Sequence, residues 1–483
     1  MSFRYAAGIN KPGFNPLTNG NGIWNLSSQA NARGAGTWPR NPGAPTIGTA
    51  TATGTTTVSI TFTAPSDLGV PAATSYTMTS SPGGLTGTGA SSPITVSGLT
   101  SGTAYTFTVT ATNSTGTGPA SAASNSVTPP LPVNLYSWGK GQFGRLGLGN
   151  VTDYSSPKQV GSLTNWVEIA AQNDFSMSIK TDGSLWGWGN GSQGRLGLGN
   201  TTSYSSPKQV GSLLNWSKIQ TGDTFCIAIK TDGTLWSWGD NSFGQLGLNN
   251  STYYSSPKQV GALTAWSKIS CGNAFTLSIK TDGTLWSWGR NSFGQLGLGT
   301  SGAYTQRSSP VQIGALTAWA SVSAEGNSSL AVKTDGTLWA WGYNNFGQLG
   351  FGNTTDYSSP KQVGALTNWL LPSGASTNSF AIKTDGTIWS WGRGGQGQLG
   401  LGNTTYYSSP KQIGALTIWS SIAGGNNQAI ALRTDKTLWT WGANDFGQLG
   451  LGNVTYYSSP KQVGASANWT RVAAGERFML AIG

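Results

Sequence analysis

Carboxylates are the recurring groups of this 483-residue chain that have the chemistry of a general acid or base. Asp182, Asp232, Asp282, Asp335, Asp385 and Asp435 each follow a threonine and return at near-constant intervals. An acid found at the same place in every unit reads as a turn former, because Asp side chains bond their own backbone two residues on. No acid/base pair stands out from the repeat. The chain has no histidine and two cysteines, Cys226 and Cys271, so His-ligated zinc, Ser-His-Asp hydrolysis and Cys-His chemistry are excluded, as is a disulfide framework. The two cysteines fall at non-equivalent repeat positions, and Cys226 sits in an alternating run as a small core residue. The glycine-rich Gly-Gln-Leu-Gly-Leu-Gly segments superficially echo phosphate loops. They lack the following Gly-Lys-Ser/Thr and recur in every unit, which makes them architecture. No metal and no cofactor is expected, and the chain reads as a non-enzyme.

The charge tells a similar story. Lys+Arg 27 against Asp+Glu 16 gives +11, but only 9% of residues are charged. Six of the lysines (Lys158, Lys208, Lys258, Lys361, Lys411, Lys461) belong to a repeated Ser-Ser-Pro-Lys, which spreads them evenly rather than in one patch. Those before the Asp turns have a nearby Asp to face. Weak, salt-dependent attraction to anionic surfaces follows, and specific nucleic-acid binding does not. The Asn-x-Ser/Thr triplets, such as Asn150-Val-Thr, read as composition. The start, Met-Ser-Phe-Arg-Tyr-Ala-Ala, has no apolar core of a signal peptide, and no apolar run is long enough to span a bilayer.

The elements that position these residues repeat. Trp-Gly occurs at Trp138, Trp188, Trp238, Trp288, Trp341, Trp391 and Trp441, at steps of 50 except for one of 53. A fixed period of this size with several short strands per unit signals a β-propeller, here of seven blades. Within a unit, Phe175–Lys180 and Leu185–Trp188 alternate on either side of Asp182-Gly183, a tight hairpin. The first unit lacks the two leading strands, and the last, ending at Phe478–Ile482, lacks the Trp-Gly strand. Each end completes the other, so the closing blade is shared and no sheet edge stays open. The residue between the paired tryptophans is always small, which lets another backbone approach.

One face departs from the repetition. Directly after Trp-Gly stand Lys140, Asn190, Asp240, Arg290, Tyr343, Arg393 and Ala443, within otherwise near-verbatim surroundings. The loops preceding Phe175, Phe225 and Phe478 diverge too, bringing Asp174, Asp223, Glu476 and Arg477. Antiparallel strands put both sets at the end of the disc opposite the hairpins. This is the candidate recognition face: Lys140, Asp174, Asn190, Asp223, Asp240, Arg290, Tyr343, Arg393 and Arg477. The tyrosines before Ser-Ser-Pro (Tyr154, Tyr204, Tyr254, Tyr304, Tyr357, Tyr407, Tyr457) read as packing. The doubled ones, Tyr253, Tyr406 and Tyr456, read as surfaces for stacking on sugars.

The organisation is an N-terminal arm over 1–42, a β-sandwich over 43–130 and the propeller over 131–483. The arm is rich in Gly, Asn and Pro, with Phe3, Tyr5, Phe14, Trp24 and Trp38 as anchoring candidates. The sandwich is nearly uncharged and patterned at period two, as in Tyr105-Thr-Phe107-Thr-Val109. Its Leu99–Val109 run resembles the tyrosine-corner segment of fibronectin type III domains, with Ile60 or Phe62 standing where that family has a tryptophan.

The Asp-Gly-Thr-Leu-Trp-Ser-Trp-Gly and Gly-Gln-Leu-Gly-Leu-Gly-Asn patterns resemble the seven-bladed family of the regulator of chromosome condensation. That family includes guanine-nucleotide exchangers, ligase-linked propellers and secreted β-lactamase inhibitors. It often places His five residues before the hairpin Lys. Here Phe175, Phe225, Phe275, Ser328, Asn378, Gln428 and Phe478 stand there, so the resemblance implies the fold and none of the family's functional residues. Residues 1–16 and 34–43 resemble virion structural proteins of tailed bacteriophages, notably those infecting cyanobacteria. Taken together, the resemblances imply a virion appendage or tail-associated protein, made in the host cytoplasm. The arm would bind other virion proteins, the sandwich would be a spacer, and many copies of the propeller would face a host-surface glycan or protein. A purely architectural virion component, or a propeller that inhibits or regulates a partner protein, are the alternatives.

Overall fold

The computed structural model describes residues 38–302 and 304–483, with Ala30, Asn31 and Gly34. It is all-β and divides into two compact units, the first ending at Pro132 and the second starting at Val133. Of the anchoring candidates, Phe3, Tyr5, Phe14 and Trp24 lie outside the described residues, and Trp38 is half-buried.

The first unit is a sandwich of a three-stranded sheet (Thr46–Ala52, Thr57–Thr63, Ile94–Ser97) and a four-stranded one built on Ser75–Ser81 and Thr106–Asn113. Alternation supplies the core: Val58, Ile60, Met78, Val96, Phe107 and Val109 are fully buried, while the intervening threonines face outward. Ile60 and Phe62 both fill the interior. The Tyr105 hydroxyl accepts the Thr100 amide at 3.0 Å, tying the end of one sheet to the chain that leaves it. Replacing Tyr105 with Phe removes that acceptor at a cost of about 1 kcal/mol. Chemical denaturation of the full chain should show the sandwich transition moving down while the propeller transition stays in place.

The second unit is seven four-stranded antiparallel sheets. Six are continuous in sequence, such as Trp166–Gln172, Phe175–Lys180, Leu185–Gly189 and Tyr204–Gln209. The seventh joins Arg471–Ala474 and Phe478–Ile482 to Asn134–Gly139 and Tyr154–Thr164. Leu135 pairs with Ile482 and Gly139 with Phe478, and Asn134 and Gly483 exchange backbone bonds at 2.9 and 3.1 Å. The first strands of successive sheets neighbour one another in an unbroken cycle, from Trp166–Gln172 round to Arg471–Ala474 and back. They therefore line the axis.

Tryptophan fastens blade to blade. The indole of Trp188 donates to the Arg145 carbonyl of the preceding return loop at 2.9 Å, and Trp238, Trp288, Trp341, Trp391, Trp441 and Trp138 repeat the contact at 2.8–3.0 Å. All seven rings are fully buried. Between the paired tryptophans, the hydroxyls of Ser237, Ser287, Ser390 and Thr440 cap the buried carbonyls of Leu246, Leu296, Leu399 and Leu449 at 2.7–2.8 Å. At Gly187 a Cβ would stand 3.1 Å from the Leu196 carbonyl oxygen. The position is thus small for close approach, and hydroxylated where there is room to satisfy the loop.

Two expectations are corrected. Tyr304 is 92% exposed, and Arg307 takes the pairing with the strand glycine that Tyr254 and Tyr357 make elsewhere. The cause is the longer step of 53, whose extra residues push Tyr304 out of the sheet. The lysines before the hairpins do not mainly face Asp. Lys230 lies 3.7 Å from the Trp236 ring centre and 4.9 Å from that of Trp216, and Lys333, Lys383 and Arg433 are sandwiched alike.

Candidate binding face

The hairpin aspartates are structural. Asp182 Oδ1 accepts the Ser184 amide at 2.9 Å and its hydroxyl at 2.6 Å, and that hydroxyl accepts the Trp186 indole. Asp232, Asp282, Asp335, Asp385 and Asp435 repeat the arrangement, and their side-chain partners hold all six carboxyls below the usual range.

At the opposite end, each residue after Trp-Gly docks its amide on the loop before the second strand. Asn190 bonds Asp174, Asp240 bonds Thr224, Arg290 bonds Ala274, Tyr343 bonds Asn327, Arg393 bonds Thr377 and Lys140 bonds Arg477, all at 2.9–3.1 Å. The fold thus gathers the two divergent sequence sets onto one face. Within it they form two separate groups, an outer one of cations and aromatics and an inner one of acids and amides.

The outer group is built by stacking across blade boundaries. Arg290 lies over Phe243 with 5.0 Å between guanidinium and ring centre. Tyr343 packs on Phe293 at 4.8 Å, and Arg393 lies over Phe346 at 5.5 Å. Lys140 and Arg477 both cover Phe446, at 4.9 and 5.2 Å. In each of these pairs the cation or tyrosine reaches back to the aromatic of the blade before it. Where that residue is Gln193 or Gln396 instead, the following blade carries Asp240 or Ala443. Part of the variability is therefore a matched pairing between neighbours. Asp240 is held internally by Gln245 at 3.0 Å and Ser242 at 2.6 Å, and Asn190 by the Ser192 amide at 2.9 Å. The doubled tyrosines are exposed, with Tyr406 edge-on to Phe346 at 6.1 Å. Tyr456 donates to Asp445, and that hydrogen bond, with burial and the carboxylate's charge adding to it, pushes the phenol up to about 12.

The inner group sits at the mouth of the axis. Three residues before each second strand stand Gln172, Gly222, Gly272, Glu325, Ala375, Gly425 and Gly475. Two long polar side chains among five small residues reach inward. Gln172 Nε2 donates to Glu325 Oε1 at 2.7 Å and to Asp223 Oδ1 at 3.3 Å, a link across 153 residues of chain. A cavity of about 210 Å³ surrounds them, lined also by Asn173, Asn273, Ser376, Asn426 and Glu476. Burial pushes the Glu325 carboxyl up to about 8, with the charge of Asp223 adding to it against the Gln172 hydrogen bond. Burial likewise raises Asp223 to about 6. Asp174 is ion-paired with the buried Arg145, and Glu476 with Arg477 at 3.4 Å.

An acid pair thus does stand outside the repeat, contrary to the sequence reading, with an amide lodged between its members. Neither Gln172 nor Glu325 was singled out in sequence. Nor were Phe243, Phe293, Phe346 and Phe446, which sit inside the repeated return loop. The available signal was the contrast of Gln172 and Glu325 with glycine or alanine at equivalent places. Among the described residues no group of acids and cysteines is arranged to hold a metal ion. No helix of the described residues is long and apolar enough to cross a membrane.

Seven four-stranded sheets with a shared closing blade, fastened by paired tryptophans, define a β-propeller of the regulator of chromosome condensation type. Residues 120–377 match the RCC1-like domain, residues 385–432 and 435–482 match the regulator of chromosome condensation (RCC1) repeat, and 43–127 match the fibronectin type III domain. The chain belongs to the RCC1-like domain family, and its first unit is a fibronectin type III domain. Among solved structures it is similar to human WBSCR16, with 21% identity over 73% of this chain and 98% of that one and a TM-score of 0.65. Yeast RCC1 (Prp20) in its complex with Kap60 gives 20% identity, 73% and 89% coverage and 0.65. Prp20p from Saccharomyces cerevisiae, described with its binding to Gsp1p and histones, gives 20%, 73% and 91%, and 0.65. At these identities the likeness is one of fold. No curated protein matches the chain in sequence.

Proposed function

We propose that this chain is a non-enzymatic binding protein of a tailed-phage particle. Its arm attaches to other virion proteins, the fibronectin unit is a spacer, and the propeller presents the face opposite its hairpins to a host-surface glycan or protein. The observation that carries this reading is the gathering of divergence in the loops opposite the hairpins. The tryptophan clamps, hairpins and hydroxyl caps largely repeat, whereas the residues after Trp-Gly and the loops on which they dock change in charge and size; the first strands vary as well, at Glu168, Lys218, Lys268, Ser321, Leu371, Ser421 and Arg471. Structural demand alone is served by repetition, so the exceptions gather where something outside the chain is met. The described binding of Prp20p to Gsp1p and histones supports a propeller of this fold as a binding device. The resemblance of residues 1–16 and 34–43 to phage arms supports the virion setting. Display in many copies makes weak single contacts sufficient for adsorption.

Charge reversal tests the face. The full chain carrying Arg290→Glu and Arg393→Glu should lose saturable binding to host cells at physiological salt while keeping its melting temperature within a few degrees, because half-exposed cation–aromatic pairs contribute only about 1 kcal/mol each. Binding unchanged by the double substitution would assign the propeller an architectural role. A soluble one-to-one complex with a protein partner would favour the inhibitory or regulatory alternative that the family resemblance raises.

A further inference from the structure

The cavity at the mouth of the axis is lined by three acids, Asp223, Glu325 and Glu476, and by no basic residue. Five of the seven blades put Gly or Ala where Gln172 and Glu325 stand, which leaves the room. Gln172 is 8% exposed and spends only its nitrogen. Nε2 donates to Glu325 Oε1 and Asp223 Oδ1, while Oε1 receives no hydrogen bond from the described residues and stays open to the cavity. Glu325 Oε2 and Asp223 Oδ2 likewise receive none. We propose that this mouth binds a primary ammonium group carried on a short alkyl chain. The site lies inside the outer group and does not depend on what that group contacts.

The free oxygens select the ligand. An ammonium has three donors and no acceptor, and three free oxygens are gathered here on groups that meet at one amide nitrogen. A guanidinium fork needs both oxygens of one carboxylate, and each of these carboxylates has given one to Gln172. A quaternary ammonium has no donor and is held by aromatic faces, none of which lines the cavity. Among the described residues no group of acids is arranged to hold a metal ion. A volume of about 210 Å³ admits an alkyl chain and is below the roughly 300–1,000 Å³ of sites for larger organic ligands. Of the other charges about the mouth, Asp174 and Glu476 are paired with Arg145 and Arg477, and Arg195 attracts Asp223 from behind. Glu325 and Asp223 are the lining acids in no ion pair. Glu325, raised to about 8, holds a proton at neutral pH, and an arriving ammonium displaces it to solvent.

The test is calorimetric titration of the full chain with cadaverine, with Nα-acetyl-lysine methylamide, with the Nε-acetylated form of the latter and with calcium. Saturable binding of cadaverine is expected, and none of the Nε-acetylated form. Cadaverine alone would make the ligand a free diamine, and binding of the lysine amide as well would extend it to a lysine side chain of a partner; either supports the site. At pH 8.5 affinity should fall at least about tenfold in Glu325→Gln and in Asp223→Asn, the size expected for one hydrogen bond to a charged group. Both variants keep an oxygen to accept from Gln172, so the fold is retained. Glu168→Gln, which removes an axial acid paired with Arg471 instead, should bind within about twofold of the unaltered chain. Affinity should rise at least about tenfold from pH 6 to pH 7 with release of a proton, level off above about pH 8, and lose that rise in Glu325→Gln. No saturable binding at about 10 mM amine, equal binding of the Nε-acetylated form, tighter binding of calcium, or the same loss in Glu168→Gln would overturn the inference.

Discussion

A chain ending at Trp469 should show no folded propeller at any temperature. Such a truncation removes Arg471–Ala474 and Phe478–Ile482, half of the closing sheet. Phe478, Met479, Leu480 and Ile482 are each at most 1% exposed, and they pack into the two blade boundaries on either side. Burying an apolar side chain of this size contributes roughly 1.5–3 kcal/mol, so losing four removes on the order of 10 kcal/mol. That matches the whole stability of an ordinary domain, typically about 5–15 kcal/mol. The Asn134–Gly139 strand would also be left with one bare edge. Near-UV circular dichroism reads the outcome through the clamped tryptophans. The expected result is loss of the tryptophan signal and of the propeller's cooperative transition, with the sandwich transition retained and the propeller's recovered on adding a peptide of residues 466–483. A truncated chain that melts within a few degrees of the full one would mean that each blade is stable by itself.

The second large effect is alkaline. Glu325, pushed up to about 8 by burial, binds a proton in the folded chain that it releases in the unfolded chain above its ordinary 4.5. The folded state therefore holds more protons across this interval, and stability falls as pH rises from about 5 to about 8, then levels off once the carboxyl is ionised in both states. Asp223, raised to about 6, adds a slope of the same sign at lower pH. Glu325→Gln keeps an oxygen to accept from Gln172 and removes the charge. Its melting temperature should match that of the unaltered chain at pH 5 and exceed it by several degrees at pH 9, a gain on the order of a few kcal/mol. Identical pH profiles for the two proteins would show that Glu325 is ionised and solvated in the folded state, and that the mouth is open rather than bridged by Gln172.

The fold was legible because its period is carried by residues that cannot be exchanged cheaply. Each Trp-Gly pair marks a clamp to the previous blade, each Asp-Gly a hairpin, and the mismatched ends of the repeat spell out the shared sheet. Reading by motif went astray where spacing slipped. Tyr304 looks like the other tyrosines before Ser-Ser-Pro, but a three-residue lengthening gives its place to Arg307. The divergent face was legible in outline, since Arg290, Tyr343 and Arg393 vary where their surroundings do not. Its contents were less so. Phe243, Phe293 and Phe346 belong to a loop so regular that sequence assigns it to architecture, although each also forms half of a surface pair. Glu325 looks like one isolated acid in Ala-Glu-Gly. Only closure of the ring lays Gln172 against it from three blades away and sets that amide between Glu325 and Asp223.

The central claim is that contact with a ligand falls on the face opposite the hairpins. Hydrogen–deuterium exchange of the full chain, with and without saturating host cell-envelope material, tests it most directly, because every blade supplies both faces and serves as its own control. Protection is predicted in the segments that follow Trp-Gly, above all residues 290–293, 343–346 and 393–396, with the hairpins at 181–184, 281–284 and 384–387 unchanged. Protection confined to the hairpins or to residues 1–42, with none at 290–293 and 343–346, would contradict the account.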